Sequence, residues 1–333
     1  MSIKLDRQTQ QNPVAAEVDA LIAICRPVLM GLLQTIKKEK ISDFGGYDSI
    51  KLRQLASAYV GGDGDTGICF EYAVHDAIRT GRPSVLERIH DALKRCKINN
   101  PEVASLLFGA EKSGRISLID SVQENLTDDS TLMVGSRGRP VKLRRHINSA
   151  MAAFRSQKNR LLLPDSISGL WKADLFVGDI NDDKWVGTTV KINQSQLEGA
   201  KGLRLAIVPS RQGKSDRIAI DDTKNLIVTP VPYDLDFMEL FLVTVQTVKF
   251  VFARDARMPN SSDVPTSSAR KLAKALVDRR DEKVADIIDS FEIIAQPNLM
   301  SRETSNVSTD IYRDAGSNDV DGFLGPVPIL GDQ

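Results

Sequence analysis

The sequence predicts an α/β (α+β) fold in which a small mixed sheet lies between helices that precede and follow it. Apolar residues recur at helical spacing through most of residues 1–125. Short apolar runs bounded by Gly, Asn and Asp come next, which is typical of strands joined by tight turns. Helical spacing returns from Asp234. This order predicts one mixed central sheet flanked by helices.

The individual elements follow from apolar spacing and from the turn residues between them. Helices are predicted in VAAEVDALIAICRPVLMGLLQTIKKEK, with a break or kink near Pro27, and then in SIKLRQLASAYV, the stretch after GDGDTG, RPSVLERIHDALKRC and NPEVASLLFGAE. Strands are predicted in STLMVGS, KADLFVGDI, KWVGTTVKIN, GLRLAIVPS and RIAIDDTKNLIVTPVP, and helices in HINSAMAAFRSQKN and QSQLEGAKG. The last helices are predicted in DLDFMELFLVTVQTVKFVFARDA, SSARKLAKALVDRR and EKVADIIDSFEIIAQ.

Four regions follow from this order of elements. Residues 1–60 are predicted to be an N-terminal helical region, and residues 61–232 an α/β core. Residues 233–296 form a C-terminal helical region. Residues 297–333 are rich in Ser, Asn, Asp and Gly and are predicted to be a flexible tail.

The composition is that of a globular protein, with 41% apolar residues and 44 basic side chains against 44 acidic ones. Cys25, Cys69 and Cys96 include no CxxC pair, so they are predicted to be reduced thiols of a cytoplasmic protein. No apolar run approaches the ~20 residues that span a bilayer, so no membrane partner is expected. The histidines are scattered and no GxSxG motif occurs, which disfavours zinc and acyl-transfer chemistry.

A glycine-rich turn leads into a helix in GDGDTGICFEYAVHDAI, which begins at Gly62. Gly62, Gly64 and Gly67 match GxGxxG, but the preceding stretch predicts a helix instead of the strand that a dinucleotide site requires. The turn is therefore predicted only to start the helix, with Asp65 or Thr66 as its cap.

An acidic residue on this helix has two interpretations. Glu71 lies in the second turn and shares a face with Val74, His75 and Ile78. A carboxylate on an apolar face is costly unless it is paired or bound to a metal. The alternative is that the buried face lies elsewhere on the helix and that Glu71 forms a salt bridge at its edge.

Two charged residues lie in neighbouring predicted strands. Asp174 begins an apolar run, and Lys191 lies near the end of KWVGTTVKIN. The short turn DINDDK predicts a hairpin that brings Asp174 and Lys191 side by side. Carboxylates hold Mg²⁺ through oxygen ligands. The cation polarises a phosphate and activates water, which a lysine positions or helps to deprotonate. These residue types indicate phosphodiester hydrolysis.

The order of these residues resembles that of the PD-(D/E)xK, or restriction-endonuclease-like, nucleases. The resemblance rests on a helix with GxxxE ending at Glu71, a strand with Asp174, and a strand that ends in TVK at Lys191. It implies that Asp174 and Glu71 bind Mg (or Mn), that the carbonyl of Val190 also faces the metal, and that Lys191 is the catalytic lysine. Gln194 matches a polar position often found after that lysine.

The resemblance covers about residues 60–210 and has one departure. The family has Asp or Glu two residues before the lysine, whereas this chain has Thr189. Some members carry that acid on the following helix, which makes Glu198 the main candidate for a relocated catalytic acid. If no acid replaces it, the site would be slow, bind one metal or be inactive. Weaker candidates are Asp179, Asp182 and Asp183.

Residues 131–160 form a basic segment with eight Arg and Lys side chains and no acid. A dense basic segment gains affinity for nucleic acid by releasing counterions, and this one comes directly before the strand of Asp174. The alternative is a solvated face whose charge is balanced by acids elsewhere. The basic residues are Arg137, Arg139, Lys142, Arg144, Arg145, Arg155, Lys158 and Arg160.

The sequence therefore predicts a cytoplasmic, metal-dependent endonuclease that hydrolyses DNA, and the resemblance suggests restriction or anti-phage defence. Because many such nucleases act as dimers, a homodimer or a larger protein complex is expected. One alternative is an inactive subunit of the same fold that binds nucleic acid or a partner protein. Another is a helical scaffold unrelated to nucleases, which predicts that Glu71, Asp174 and Lys191 lie far apart.

Overall fold

Helices cover both faces of one mixed sheet in this protein, so the predicted α/β class is confirmed at that level. A computed structural model describes residues 13–62, 64–99, 101–113, 121–135, 139–210 and 216–292. The predicted tail at 297–333 therefore lies outside the described residues. Within the described ranges, no helix is long and apolar enough to cross a membrane.

Helices form before the sheet where the sequence predicts them, but the first one ends at Thr35 and a separate short helix follows it at Lys38–Asp43. α1 continues through Pro27 as a single helix, where the sequence predicted a break or kink. α4 carries Glu71 and packs against α1. Their bounds are α1 Pro13–Thr35, α2 Lys38–Asp43, α3 Leu52–Ala58, α4 Asp65–Arg79 and α5 Pro83–Arg95.

The sheet has the order β1-β4-β5-β6-β8-β7, with β2 beside β5 and β3 beside β2. β1–β4, β4–β5 and β7–β8 are antiparallel pairs, whereas β5–β6 and β6–β8 are parallel. The strands are β1 Val103–Leu107, β2 Thr131–Leu132, β3 Val141–Lys142, β4 Leu175–Asp179, β5 Lys184–Val190, β6 Arg204–Pro209, β7 Ala219–Asp221 and β8 Leu226–Val231. The remaining helices are α6 Phe108–Ser113, α7 Val122–Asn125, α8 Arg144–Arg155, α9 Gln157–Arg160, α10 Met238–Phe252 and α11 Ser267–Asp278, followed by helical residues 284–292.

Two predicted helices are wrong. NPEVASLLFGAE forms β1 and then the short helix α6, because its apolar residues pair along the whole edge of β4. QSQLEGAKG contains only the 3-10 turn Gln194–Gln196. This segment runs close to other backbones, since a Cβ on Gly202 would lie 2.5 Å from the carbonyl oxygen of Ser166. That close approach leaves no room for the side chains of a helix.

The side chains of β4 alternate between two hydrophobic cores. Leu175 and Val177 pack in the larger core with residues of α1, α4, α10 and α11. Phe176 points to the opposite face, where it packs with Phe108 and Trp185 beneath α8. Successive residues of a strand face opposite sides, so β4 is buried on both. The predicted N-terminal, central and C-terminal regions thus share one core.

Candidate active site

Three residues that the sequence singled out meet in one cluster. Glu71 lies on α4, Asp174 directly before β4, and Lys191 directly after β5. The Nζ of Lys191 lies 3.1 Å from Oε1 of Glu71 and 2.9 Å from Oδ2 of Asp174. These contacts contradict the scaffold alternative, which predicted that the three residues lie far apart.

The β4–β5 hairpin brings Asp174 and Lys191 together, as the turn predicted. Leu175 pairs with Thr188, and the backbone N–H of Asp174 donates to the carbonyl of Thr188 at 2.8 Å. At the other end of the hairpin, a Cβ on Gly178 would lie only 2.0 Å from the carbonyl oxygen of Lys184. A glycine is therefore required for the two strands to pair there.

Asp174 is held from several directions. Its Oδ2 accepts hydrogen bonds from the backbone N–H of Val190 at 3.0 Å and the hydroxyl of Thr189 at 3.1 Å, besides Lys191. Its own carbonyl accepts from the first residues of α6, including the N–H of Gly109 at 2.8 Å. The side chain is buried and its position is fixed by both the hairpin and α6.

A fourth charged residue, Lys112 on α6, also belongs to the cluster. Its Nζ lies 3.6 Å from Oδ1 of Asp174 and donates to the carbonyls of Trp171, at 3.3 Å, and Ala173. Only 3% of the residue is exposed. Sequence reasoning missed it because nothing in FGAEKSG distinguishes this lysine from a solvated one. Burial beside Asp174 arises only when α6 packs against the start of β4.

The four side chains shift one another's proton affinity. Burial and the nearby Asp174 carboxylate raise the pKa of Glu71 to about 8. Burial opposes ionisation of Asp174, but the ammonium groups of Lys112 and Lys191 still hold its pKa below the usual range. Burial lowers the pKa of Lys112, whereas Asp174 and Glu71 outweigh burial and raise the pKa of Lys191. Lys191 is thus an ammonium donor at neutral pH.

Glu71 and Asp174 carry carboxylate oxygens, which is the ligand type that hard divalent cations take, and in this structure those oxygens face the ammonium groups of the two lysines. Oε2 of Glu71 lies beside Gly109, where a Cβ would come within 3.3 Å of it, so the glycine leaves space at the carboxylate. The Val190 N–H points to Asp174, and the carbonyl of a strand residue faces the same side as its N–H. Mg²⁺ typically uses one or two protein carboxylates with water and substrate phosphate. Among the described residues, no group of three or more His, Cys, Asp or Glu side chains is arranged to hold a metal.

The structure does not bring the candidates for a relocated acid to the cluster. Glu198 forms an ion pair with Lys172 at 2.7 Å, and its side chain is 69% exposed. It lies on the extended segment that replaces the predicted helix. Gln194 is exposed in its 3-10 turn. The three weaker candidates lie at the turn end of the hairpin, which the rise per residue of a strand places about 15 Å from Asp174. These candidates are Asp179, Asp182 and Asp183.

The basic segment reaches the cluster at its C-terminal end. Nε of Arg155 donates to the carbonyl of Lys112 at 3.3 Å, and the guanidinium of Arg160 lies 3.8 Å over the ring of Trp171. At the other end, Lys142 and Arg144 form ion pairs with acids in the preceding loop, at 2.7 and 3.3 Å. Arg139, Arg145 and Lys158 are exposed, and Arg137 lies outside the described residues.

His75 has an ordinary structural role one turn beyond Glu71. Its Nδ1 is hydrogen-bonded to the hydroxyl of Ser105 on β1 at 3.0 Å. Burial, followed by the charges of Arg79 and Arg26, lowers its pKa to about 4. His75 is therefore neutral near pH 7 and is not part of the charged cluster.

Comparison with known proteins adds no family assignment, since no family model, curated protein or solved structure matches this chain. Two carboxylates and two lysines form a largely buried charged cluster at one end of a β-hairpin, with basic helices beside it. Buried charges with strongly shifted pKa values are typical of functional sites.

Proposed function

We propose that the protein is a metal-dependent nuclease that hydrolyses DNA phosphodiester bonds and has a restriction-endonuclease-like core. The observation that carries this proposal is the contact of Lys191 with both Glu71 and Asp174, which lie 120 and 17 positions away in the chain. If the short motif occurred in the sequence by chance, nothing would bring these three residues into hydrogen-bonding contact in the fold.

The arrangement of the sheet around the cluster supports the same proposal. α4, β1, β4, β5 and β6 occur in this order in the chain, with β2 and β3 between β1 and β4. The strands β1, β4, β5 and β6 are neighbours in that order in the sheet. The resemblance expects a further core strand after the lysine, and β6 pairs with β5 in parallel. One difference is that a 3-10 turn replaces the short helix expected before this strand.

The chain's own residues would divide the work of hydrolysis as follows. Glu71 and Asp174 would hold Mg²⁺ or Mn²⁺, which would polarise the scissile phosphate and acidify a water molecule. Asp174 is ionised, and the Thr189 hydroxyl donates to it without adding a charge of its own. Because Lys191 stays protonated, it would orient the water or stabilise negative charge on the phosphate instead of removing a proton.

The basic segment supplies the proposed contact with DNA. Arg139, Arg145 and Lys158 are exposed and would contact backbone phosphates, while Arg155 links α8 to the carbonyl of Lys112 in the cluster. The resemblance implies a biological setting in restriction or anti-phage defence. It also implies assembly as a homodimer or as part of a larger complex.

Cleavage of supercoiled plasmid in Mg²⁺ or Mn²⁺ tests the proposal. We expect Lys191→Met to reduce nicking by about 100-fold or more, as for loss of a group that stabilises the transition state. Lys201→Met is the matched control, because the ammonium group of this exposed lysine pairs with Asp165 and its backbone N–H donates to Ser168, and neither partner belongs to the cluster. Equal nicking by wild type and the folded Lys191→Met variant would contradict the proposal.

A second candidate is an inactive subunit that binds nucleic acid through the same fold. The charge balance favours this candidate, because the ammonium groups of Lys112 and Lys191 already pair with the two carboxylates that would otherwise bind a metal. Thr189 also stands where the family carries an acid. A purified wild type that binds DNA but cleaves it in neither Mg²⁺ nor Mn²⁺ would support this candidate over the nuclease.

A further inference from the structure

We propose that Leu161 and Leu162 form an apolar wedge that inserts between DNA bases, so that the protein binds DNA with unpaired bases in preference to an intact duplex. The inference deepens the proposed function and rests on it for the contact with DNA, but it concerns binding and not cleavage. Neither leucine belongs to the charged cluster or to the basic residues described above.

Both leucines are unusually exposed for large apolar side chains. Leu161 is 89% exposed and Leu162 is 78% exposed. Among the residues that the structure describes, they are the only two consecutive large hydrophobic residues that are exposed. Single exposed leucines are common on protein surfaces, whereas a contiguous apolar patch beside polar residues often marks a contact surface.

The wedge is held by ordered structure on both sides. Arg160 precedes it, and the guanidinium of Arg160 lies 3.8 Å over the ring of Trp171 while its Nε donates to the carbonyl of Ala153 at 3.1 Å. Leu163 follows the wedge and is buried in the core beneath α8. The two leucines are therefore fixed at the surface by their neighbours in the chain.

The charges around the wedge favour a polyanion as its partner. Residues 131–160, which lead into the wedge, contain no acid, and Lys158 is exposed on α9. The next acid in the chain, Asp165, already forms an ion pair with Lys201 at 2.7 Å. Proteins that bend or open DNA commonly insert leucine or another apolar side chain between base steps, while basic residues contact the phosphates.

Contacts run from the wedge to the charged cluster. Trp171, which lies under Arg160, accepts a hydrogen bond at its backbone carbonyl from Nζ of Lys112 at 3.3 Å. Phe154 is 42% exposed, and its ring centroid lies 4.9 Å from the same Nζ. A DNA strand that reaches the cluster would therefore lie near the wedge.

The form of the DNA matters because the wedge has to separate stacked bases. In an intact duplex this separation costs free energy. Where bases are unpaired, stacking is already interrupted, so the cost is smaller and more of the apolar contact contributes to binding. Apolar contact with the faces of bases is tolerant of sequence. The expected preference is therefore for a form of DNA and not for a base sequence.

Fluorescence anisotropy in EDTA tests the inference with a labelled duplex and with the same duplex carrying an unpaired central stretch. We expect wild type to bind the DNA with the unpaired stretch about tenfold tighter. When Leu161→Gln and Leu162→Gln are combined, this preference should fall to about twofold or less. The affinity for the intact duplex and its salt dependence should stay unchanged, because the phosphate contacts remain.

The matched control is Leu235→Gln. Leu235 is 73% exposed but lies between Asp234 and Asp236, where a polyanion would be repelled. Its replacement should leave the affinities for both DNA forms unchanged. Equal binding of the two forms by wild type would overturn the inference, as would an undiminished preference in the folded double leucine variant.

Two further results separate this inference from its alternatives. Nicking of supercoiled plasmid by a wild type that binds both DNA forms equally would refute the wedge and leave the nuclease in place, whereas the preference without nicking would do the reverse. Sedimentation with vesicles of anionic phospholipid tests a membrane as the partner. Loss of vesicle binding in the double leucine variant, with DNA binding unchanged, would overturn the inference in favour of a lipid surface.

Discussion

The buried carboxylate of Glu71 should make the metal-free protein less stable as pH rises. Its pKa is raised from 4.5 to about 8 by burial and by Asp174. Between these values the folded protein keeps the proton on Glu71, whereas the unfolded chain has released it. Raising the pH through this window therefore favours unfolding. The stabilising contribution is fully present below the unfolded pKa and is lost as pH rises through the folded one.

The magnitude follows from the size of the shift. A difference of about 3.5 pKa units, at about 1.4 kcal/mol for each unit, corresponds to a loss of roughly 3–5 kcal/mol by pH 9. The side chain of Glu71 is 15% exposed, so solvent screens this effect only in part. Glu71→Gln removes the titration, because the amide stays neutral at every pH in this range. The variant should be more stable than wild type at pH 9 and similar to it at pH 4.5.

Urea unfolding followed by circular dichroism, in EDTA at several pH values, measures this difference. Glu87→Gln is the matched control, because Glu87 is exposed on α5 and its replacement should leave the pH profile unchanged. Mg²⁺ added at pH 9 should raise the stability of wild type and not of Glu71→Gln, since an ion that binds only the folded state stabilises it. Parallel pH profiles for wild type and Glu71→Gln would refute the reasoning.

Three further predictions concern His75, the basic segment and the hairpin. The pKa of His75 is lowered to about 4, so the unfolded chain binds more protons than the folded protein between pH 6.5 and 4. Lowering the pH through this window should therefore reduce the unfolding free energy of wild type by roughly 3 kcal/mol relative to His75→Asn, as measured by urea unfolding. If Arg145 and Lys158 each contact one phosphate, replacing either with Ala should make the salt dependence of duplex DNA binding weaker. In fluorescence anisotropy, the negative slope of log K against log salt should become smaller in magnitude by about 0.9 for each replacement. Gly178→Ala should give little soluble, folded protein, because its Cβ would lie 2.0 Å from the carbonyl oxygen of Lys184; a normal melting profile for this variant would contradict that.

The sequence predicts the hairpin and its flanking helices because their signals are local. The turn DINDDK lies between two apolar runs, and α4 shows helical spacing over its whole length. β1 has no such signal, since VASLL is a short apolar run that is compatible with a helix or a strand. Its pairing with β4, from Val103 with Asp179 to Leu107 with Leu175, decides the outcome. Information of this kind is not present in any local window.

The candidate site was accessible from the sequence only in part, for a similar reason. Glu71, Asp174 and Lys191 stand in a recognisable order with characteristic neighbours. Lys112 has no motif, and its role depends on carbonyls at 171 and 173 that only the fold brings near it. Glu198 was assigned to a helix that does not form. The sequence therefore indicates that Glu71, Asp174 and Lys191 could meet, because their spacing carries that information. It does not indicate the position of Lys112, which depends on tertiary contacts.

Thr189 and Lys112 both change the same property of the cluster, its net charge. Three carboxylates with one lysine would carry two negative charges, whereas two carboxylates with two lysines carry none when all four are ionised. A divalent cation then gains little from long-range attraction and depends on its direct oxygen ligands. A DNA phosphate would restore negative charge beside it, and Mg²⁺ commonly takes phosphate oxygens as ligands. We therefore expect the cation and the DNA backbone to bind cooperatively, each being held weakly without the other.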